Sequence, residues 1–284
     1  MPKGMSKLES LHFLSHYVVG KDEENKIKEL GALTNLEQSI SITKLENVVN
    51  SSEALEARMF DKDGIDSLWL SWSWYEGENM VDFEIERDIL DKLQPSIGLK
   101  ELAIDGYRGT TFPDCYYQKQ VISAAFMNLQ FHGLTHLRIE GGYRESESVK
   151  CFPKEGMSKL KNLQFLSDYV VGKREENKIT ELGALANLHE SISIVKLENV
   201  VNSGEALEAR MSDKDGIDSI TLTWSLNEEE NRVDSEMERD ILDKLRPHAN
   251  LKELHINVFH ETKKSLLDNV NLKLSNDVTL TKQQ

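Results

Sequence analysis

The stretch "IDSLWLSW", residues 65–72, alternates apolar and small polar side chains. Successive residues of a strand face opposite ways. Leu68 and Leu70 therefore read as core, with Trp72 on the same parity just beyond the strand. Ser67, Trp69 and Ser71 read as the open face. The frame behind it, apolar-x-x-apolar-x-apolar, recurs at "LESLHF" (8–13), "LKELAI" (99–104) and "LTHLRI" (134–139). It returns at "LKNLQF" (160–165), "IDSITL" (217–222) and "LKELHI" (251–256), with looser forms ending in Ile40-Ser-Ile42 and Ile192-Ser-Ile194. Nine short strands follow from it, their last apolar residues separated by 26 to 35 positions.

Between strands the spacing becomes helical. Ile27, Leu30 and Leu33 share one face, Leu55 and Met59 another, and Ile85, Ile89 and Leu93 a third. Asn50, followed three residues later by Glu53, predicts a helix N-cap with a capping-box acid, and Asn202 with Glu205 restates it. Gly64, in "DKDGID", is expected to supply the left-handed residue that ends the helix. A strand and a helix repeated at this interval cannot bury an apolar face alone, so neighbours must stack into a solenoid. The predicted fold is an α/β horseshoe, with short parallel strands on the concave face and helices or irregular segments on the convex face.

A second, longer period encloses the first. "KLENVVNSSEALEARM" (44–59) returns as "KLENVVNSGEALEARM" (196–211). Shifted by 152, Gly4–Ile104 aligns with Gly156–Ile256 without a gap, and about three quarters of the positions are identical. This divides the chain into a first block (1–114), an irregular junction (115–152), a duplicated second block (153–256) and a divergent tail (257–284).

The bulk composition narrows the function. With 49 acidic and 34 basic side chains the net charge is −15, and no basic stripe opposes that field. Nucleic acid and anionic membrane surfaces are unfavourable partners. Cys115 and Cys151 alone make no disulfide framework, the start has no apolar signal region, and no apolar run approaches a bilayer span. A soluble, reducing, cytoplasmic setting is the expectation.

Individual motifs favour architecture over chemistry. His132 and His136 are four apart, but they flank a strand and lack a third ligand, so no metal site is expected. "DKDGID" lacks the closing Glu of a calcium loop. The "NSS" sequon at Asn50 becomes "NSG" at Asn202, which keeps the cap and loses the sequon. The acidic runs at 75–88 and 227–240 lack the apolar pocket that would separate two carboxyl pKa values. No nucleophile–base motif appears, so no enzyme and no cofactor are expected.

The open face is the candidate site. By strand parity it comprises Ser39, Ser41, Ser67, Trp69, Ser71, Glu101, Ala103, His136 and Arg138, with Glu253 and His255 in the second block. His12 and Gln164 share that parity. An outward Trp69 reads either as a binding anchor or as packing on a neighbouring strand. The second copy has Thr221 there. Trp224, like Trp72, is expected in the core.

The wording itself, "MSKLESLHFLSHYVVGK" through "IDSLWLSWS" and on to "GYRGTTFPD" (106–114), resembles the first leucine-rich block of plant intracellular disease-resistance receptors. These are the coiled-coil, nucleotide-binding, leucine-rich-repeat class. The resemblance covers nearly all of 1–114 and 153–256, and it departs from the family after Pro113 and beyond Ile256. It implies a non-enzymatic recognition module whose concave face meets a pathogen effector or a guarded host protein and contributes to defence. In that class the repeats also hold a nucleotide-binding module inactive. No G-x-x-x-x-G-K-[ST] occurs here, so that module is absent from this chain. The alternative is a truncated or rearranged receptor fragment acting as a decoy, or without independent function. A ubiquitin-ligase adaptor would need a recruitment motif near the N-terminus, and none is visible.

Overall fold

The computed structural model describes residues 4–21, 25–73, 83–107, 133–141, 157–172, 177–224 and 235–257. Two compact units emerge, Met1–Pro153 and Lys154–Gln284. The first contains β1 (His16–Val18), β2 (Glu37–Thr43), β3 (Gly64–Ser71), β4 (Glu101–Tyr107) and β5 (His136–Gly141). These five lie side by side in chain order, every neighbour parallel. The second contains β6 (Phe165–Leu166), β7 (Asp168–Val170), β8 (His189–Val195), β9 (Gly216–Thr223) and β10 (Glu253–Asn257). There β7 to β10 form a parallel sheet in the same consecutive manner.

Parallel neighbours require a crossover for every strand. The crossovers hold α1 (Ser51–Glu56), α2 (Phe83–Lys92), α3 (Ser203–Glu208) and α4 (Ser235–Lys244). The other helical pieces are 3-10 turns, such as Ile27–Ala32, Leu45–Asn47 and Met59–Asp61. Strands stack about 4.8 Å apart, whereas an α-helix with its side chains is about 10 Å wide. Slimmer 3-10 turns ease that mismatch.

The inward residues match the sequence parity. Ile40, Ile42, Leu68, Leu70, Leu102 and Ile104 are buried, as are Ile27, Leu30, Leu33 and both Trp72 and Trp224. Asn50 does cap α1, its side chain accepting from the Ser52 N–H at 2.9 Å, and Asn202 accepts from the Glu205 N–H at 3.1 Å.

Four expectations need correction. The first strand is not "LESLHF": β1 begins at His16, Tyr17 fills the core, and Leu8 and Phe13 are exposed. Leu55 is exposed too, because α1 turns Ala54 and Ala57 inward instead. Ile89 in α2 and Leu93 just beyond it are buried, but Ile85 is exposed. Gly64 is not left-handed. Arg58 (φ 51°) ends α1, and Gly64 opens β3 where a Cβ would come within 2.9 Å of the Leu36 carbonyl. The His132 reading, both cysteines, the junction apart from 133–141 and the tail beyond 257 lie outside the described residues.

Three polar side chains tie successive turns together in both units. Tyr17 donates its hydroxyl to the Lys26 carbonyl at 2.8 Å, and Tyr169 donates to Lys178 at 2.7 Å. Asn47 donates to Val19, and Asn199 to Val171, both at 2.8 Å. Buried Lys62 and Lys214 donate Nζ to the Leu33 and Leu185 carbonyls at 3.0 and 2.8 Å. The Asn and Lys bonds reach carbonyls just past the end of a strand or 3-10 turn. The Tyr bonds add a second donor to carbonyls that already accept the Glu29 and Glu181 N–H groups.

The lysines set a pH dependence. Burial is the main cause that lowers both from 10.5 to about 8. Between those values the unfolded chain holds protons that the folded chain has released, so stability rises with pH. Burial pushes the Tyr17 and Tyr169 hydroxyls well above their usual 10.0. Above that value the folded chain keeps protons the unfolded chain loses, and the trend reverses. Urea melts from pH 7.5 upward are expected to show a midpoint that climbs beyond pH 8 and turns over near pH 10. The double variant Lys62→Met, Lys214→Met should flatten the climb. A flat wild-type profile would contradict the assignment.

Candidate protein-binding face

The backbone register turns the open-face residues into transverse rows. The central row of the first unit runs His16, Ser41, Trp69, Ala103, Arg138 across β1 to β5. The row before it runs Ser39, Ser67, Glu101, His136, and the row after it holds Thr43, Ser71 and Asp105. A register shift between Gln38 and Ser39, with Gln38 at φ 68°, brings Ser39 and Ser41 opposite Ser67 and Trp69. The same shift recurs between Glu190 and Ser191.

All nine site residues of the first unit thus share one face. Ser39, Glu101 and Arg138 are exposed, and Ser41, Ser67, Ser71, Ala103 and His136 are half-buried. Trp69 is 47% exposed. Ala103 faces it on β4, so the indole stands beside a methyl group. Polar contacts tie the rows loosely. His136 Nδ1 lies 2.9 Å from the Thr135 hydroxyl and 4.0 Å from Glu101 Oε1, and Ser71 donates to Asp105 Oδ2 at 3.4 Å. His16 Nε2 meets the Thr43 hydroxyl at 3.2 Å, and His12 Nδ1 meets Glu37 Oε1 at 3.1 Å.

Glu253 and His255 belong to the second unit, where the central row is Asp168, Ser193, Thr221, His255. Glu253 accepts the Ser219 hydroxyl at 3.3 Å, and His255 Nε2 approaches it at 3.6 Å. The two faces differ where it matters for contact. Ser39, Ser41, Ser67 and Glu101 recur as Ser191, Ser193, Ser219 and Glu253. His16, Trp69, Ala103 and Asp105 become Asp168, Thr221, His255 and Asn257. Meanwhile, among the inward residues Ile40, Ile42, Ile65, Leu68, Leu70, Leu102 and Ile104, only Leu68 changes, to Ile220.

His16 and Asp105 were missed as face residues by the sequence reading. Asp105 was legible, being two residues beyond Ala103 on the same parity. His16 was not, because the first strand was placed upstream of it. Among the described residues, no cluster of three or more His, Cys, Asp or Glu could hold a metal ion. No described helix is long and apolar enough to cross a membrane.

These rows display hydroxyls, imidazoles, carboxylates and one indole on a stiff sheet, an assortment suited to many small contacts with a protein surface. Comparison with known proteins agrees with the repeat architecture. The family model of R13L1/DRL21 leucine-rich repeats matches residues 27–168 and 179–280, including the junction and most of the tail that had looked divergent. The chain is 43% identical over 107 residues to RGA1 of Solanum bulbocastanum, a sequence named for disease resistance. It is 37% identical over 107 residues to the disease resistance protein RGA2 of the same species. It is 34% identical over 110 residues to an Arabidopsis thaliana sequence also named for disease resistance. Each match covers 37–38% of this chain and 8–11% of the relative, so the shared region is about a tenth of those proteins. Repeat frame, parallel sheets and family match converge: the chain belongs to the R13L1/DRL21 leucine-rich-repeat family, whose relatives here are plant disease resistance proteins.

Proposed function

We propose that the chain is a recognition region of a cytoplasmic plant resistance receptor and contacts a protein through its open strand face. The observation that carries this reading is the ordered set of rows around Trp69. A large indole stands exposed on a sheet whose opposite side is packed core, and such exposed aromatics are typical interface anchors. The contact is non-covalent and involves no turnover. The partner is a pathogen effector or a guarded host protein. A nucleotide-binding module in a longer product would provide the switching. The blocks at 1–114 and 153–256 present two related but unequal faces.

A photo-crosslinking residue placed at Ser41 or Trp69 tests this. Extracts from challenged and unchallenged plant tissue are irradiated with each variant, and with a Glu56 variant on α1 as the control. A discrete protein adduct from the strand positions and none from Glu56 is the expected result. Equal labelling from Glu56, or none from the strand positions in any extract, would overturn the reading.

A further inference from the structure

One part of the first unit's face has a chemistry that the second unit lacks. Trp69 stands opposite Ala103, and Glu101 and Asp105 lie two residues to either side of Ala103 on the same face of β4. With strands about 4.8 Å apart and same-face residues about 7 Å apart, one incoming side chain can reach all four. Ala103 carries only a methyl group, so no long side chain of β4 stands directly opposite the indole. Asp105 Oδ2 accepts the Ser71 hydroxyl at 3.4 Å, which holds this carboxylate beside β3 on the open face.

We propose that Trp69, Ala103, Glu101 and Asp105 form a site for one lysine or arginine side chain from a basic segment of the protein partner. This rests on the open-face reading above and names the chemistry of that contact. The cation lies over the indole face, where the ring quadrupole attracts it, and donates to the carboxylates on either side. The net charge of −15 draws a basic partner toward the chain. Arg138, across Ala103 on β5, already has a partner within the chain. An incoming carboxylate would meet Glu101 and Asp105 and be repelled.

The second unit supplies the control. At the same places it carries Thr221, His255, Glu253 and Asn257, so the indole is gone, an imidazole replaces the methyl group and one carboxylate is an amide. Trp69→Thr, Ala103→His and Asp105→Asn therefore each install a residue that the homologous sheet already accommodates.

The test follows the indole N–H signals of the four tryptophans of the full chain by NMR. The probes are N-acetyl-arginine amide, N-acetyl-lysine amide, the uncharged N-acetyl-norleucine amide and N-acetyl-glutamate amide. The Trp69 signal is assigned by its loss in Trp69→Thr. Arginine and lysine amides are expected to shift it saturably while Trp224 stays still. Asp105→Asn should weaken the response about threefold or more, and Ala103→His should abolish it. The proposal is overturned by an unmoved Trp69 signal, by an equal response to norleucine amide, or by a preference for glutamate amide. Crosslinking from Ser41 without any cation response would sink this site alone and leave the open-face reading standing.

Discussion

Trp72→Ala is expected to cost the first unit about 3–5 kcal/mol, as deletion of a large buried aromatic side chain does. Trp72 is completely buried, its ring edge-on to Tyr107 at 5.5 Å between centroids and 62° between planes. Its backbone N–H donates to the Asp105 carbonyl at 2.9 Å, which ties the chain just past β3 to β4 beside the buried ring. Gly106 folds back over it at φ 70°, and a Cβ there would fall 2.3 Å from the Trp72 carbonyl oxygen. The surrounding backbone is too close-fitted to collapse into the vacancy, so the cavity term remains. Repeat units couple chiefly to their neighbours. Denaturant unfolding should therefore show an early transition confined to the first unit, and Trp224→Ala should produce the reciprocal pattern. A loss below about 1 kcal/mol would mean that the ring is not packed as described.

Gly31→Ala is the second large effect. The new Cβ would sit 2.2 Å from the Glu56 carbonyl oxygen, a backbone atom at the end of α1 that cannot swing away. Gly183 and Glu208 repeat the contact at the same 2.2 Å. The Ile27–Ala32 turn and α1 must then separate, at an expected cost of about 3 kcal/mol. Gly98→Ala is the matched control, because its nearest neighbour, the Asp63 carbonyl, is 3.7 Å away. Its melting midpoint should stay near wild type. Similar losses for both variants would show that chain flexibility, and not the close approach at Gly31, governs the site.

Both effects bear on the open face. Trp69 is held opposite Ala103 only because β3 and β4 keep their register, and Trp72 lies three residues along the same backbone. A binding loss in Trp72→Ala would thus report lost alignment, whereas Trp69→Thr removes the indole and leaves the core intact.

Several features were legible because they are local. Strand parity in "IDSLWLSW" follows from the two-residue period of an extended chain, and it placed Leu68, Leu70 and Trp72 inside and Trp69 outside. The N-caps were legible because Asn50 and Asn202 act within three residues. The internal duplication offered a further signal. Tyr17, Asn47 and Lys62 recur unchanged as Tyr169, Asn199 and Lys214, while the face between them varies. Their inter-turn bonds span 9 to 29 residues, so pattern alone did not reveal them.

By itself the sequence determined the repeat architecture, the twofold duplication, the inward set of most strands and the strip of outward residues from which the face is built. These are periodic properties, dictated by where successive Cβ atoms point. Only the tertiary structure decided what depends on a neighbour. Leu8 and Phe13 are exposed although Leu160, Leu163 and Leu166, in nearly the same words, are buried. Lys62, a residue usually found at the surface, is enclosed because the Leu33 carbonyl needs a donor. The register shift at Gln38 and Ser39 sets which outward residues meet, and so puts Trp69 beside Ala103. Burial and register are relations between segments distant in sequence, and packing free energy, not local periodicity, selects them.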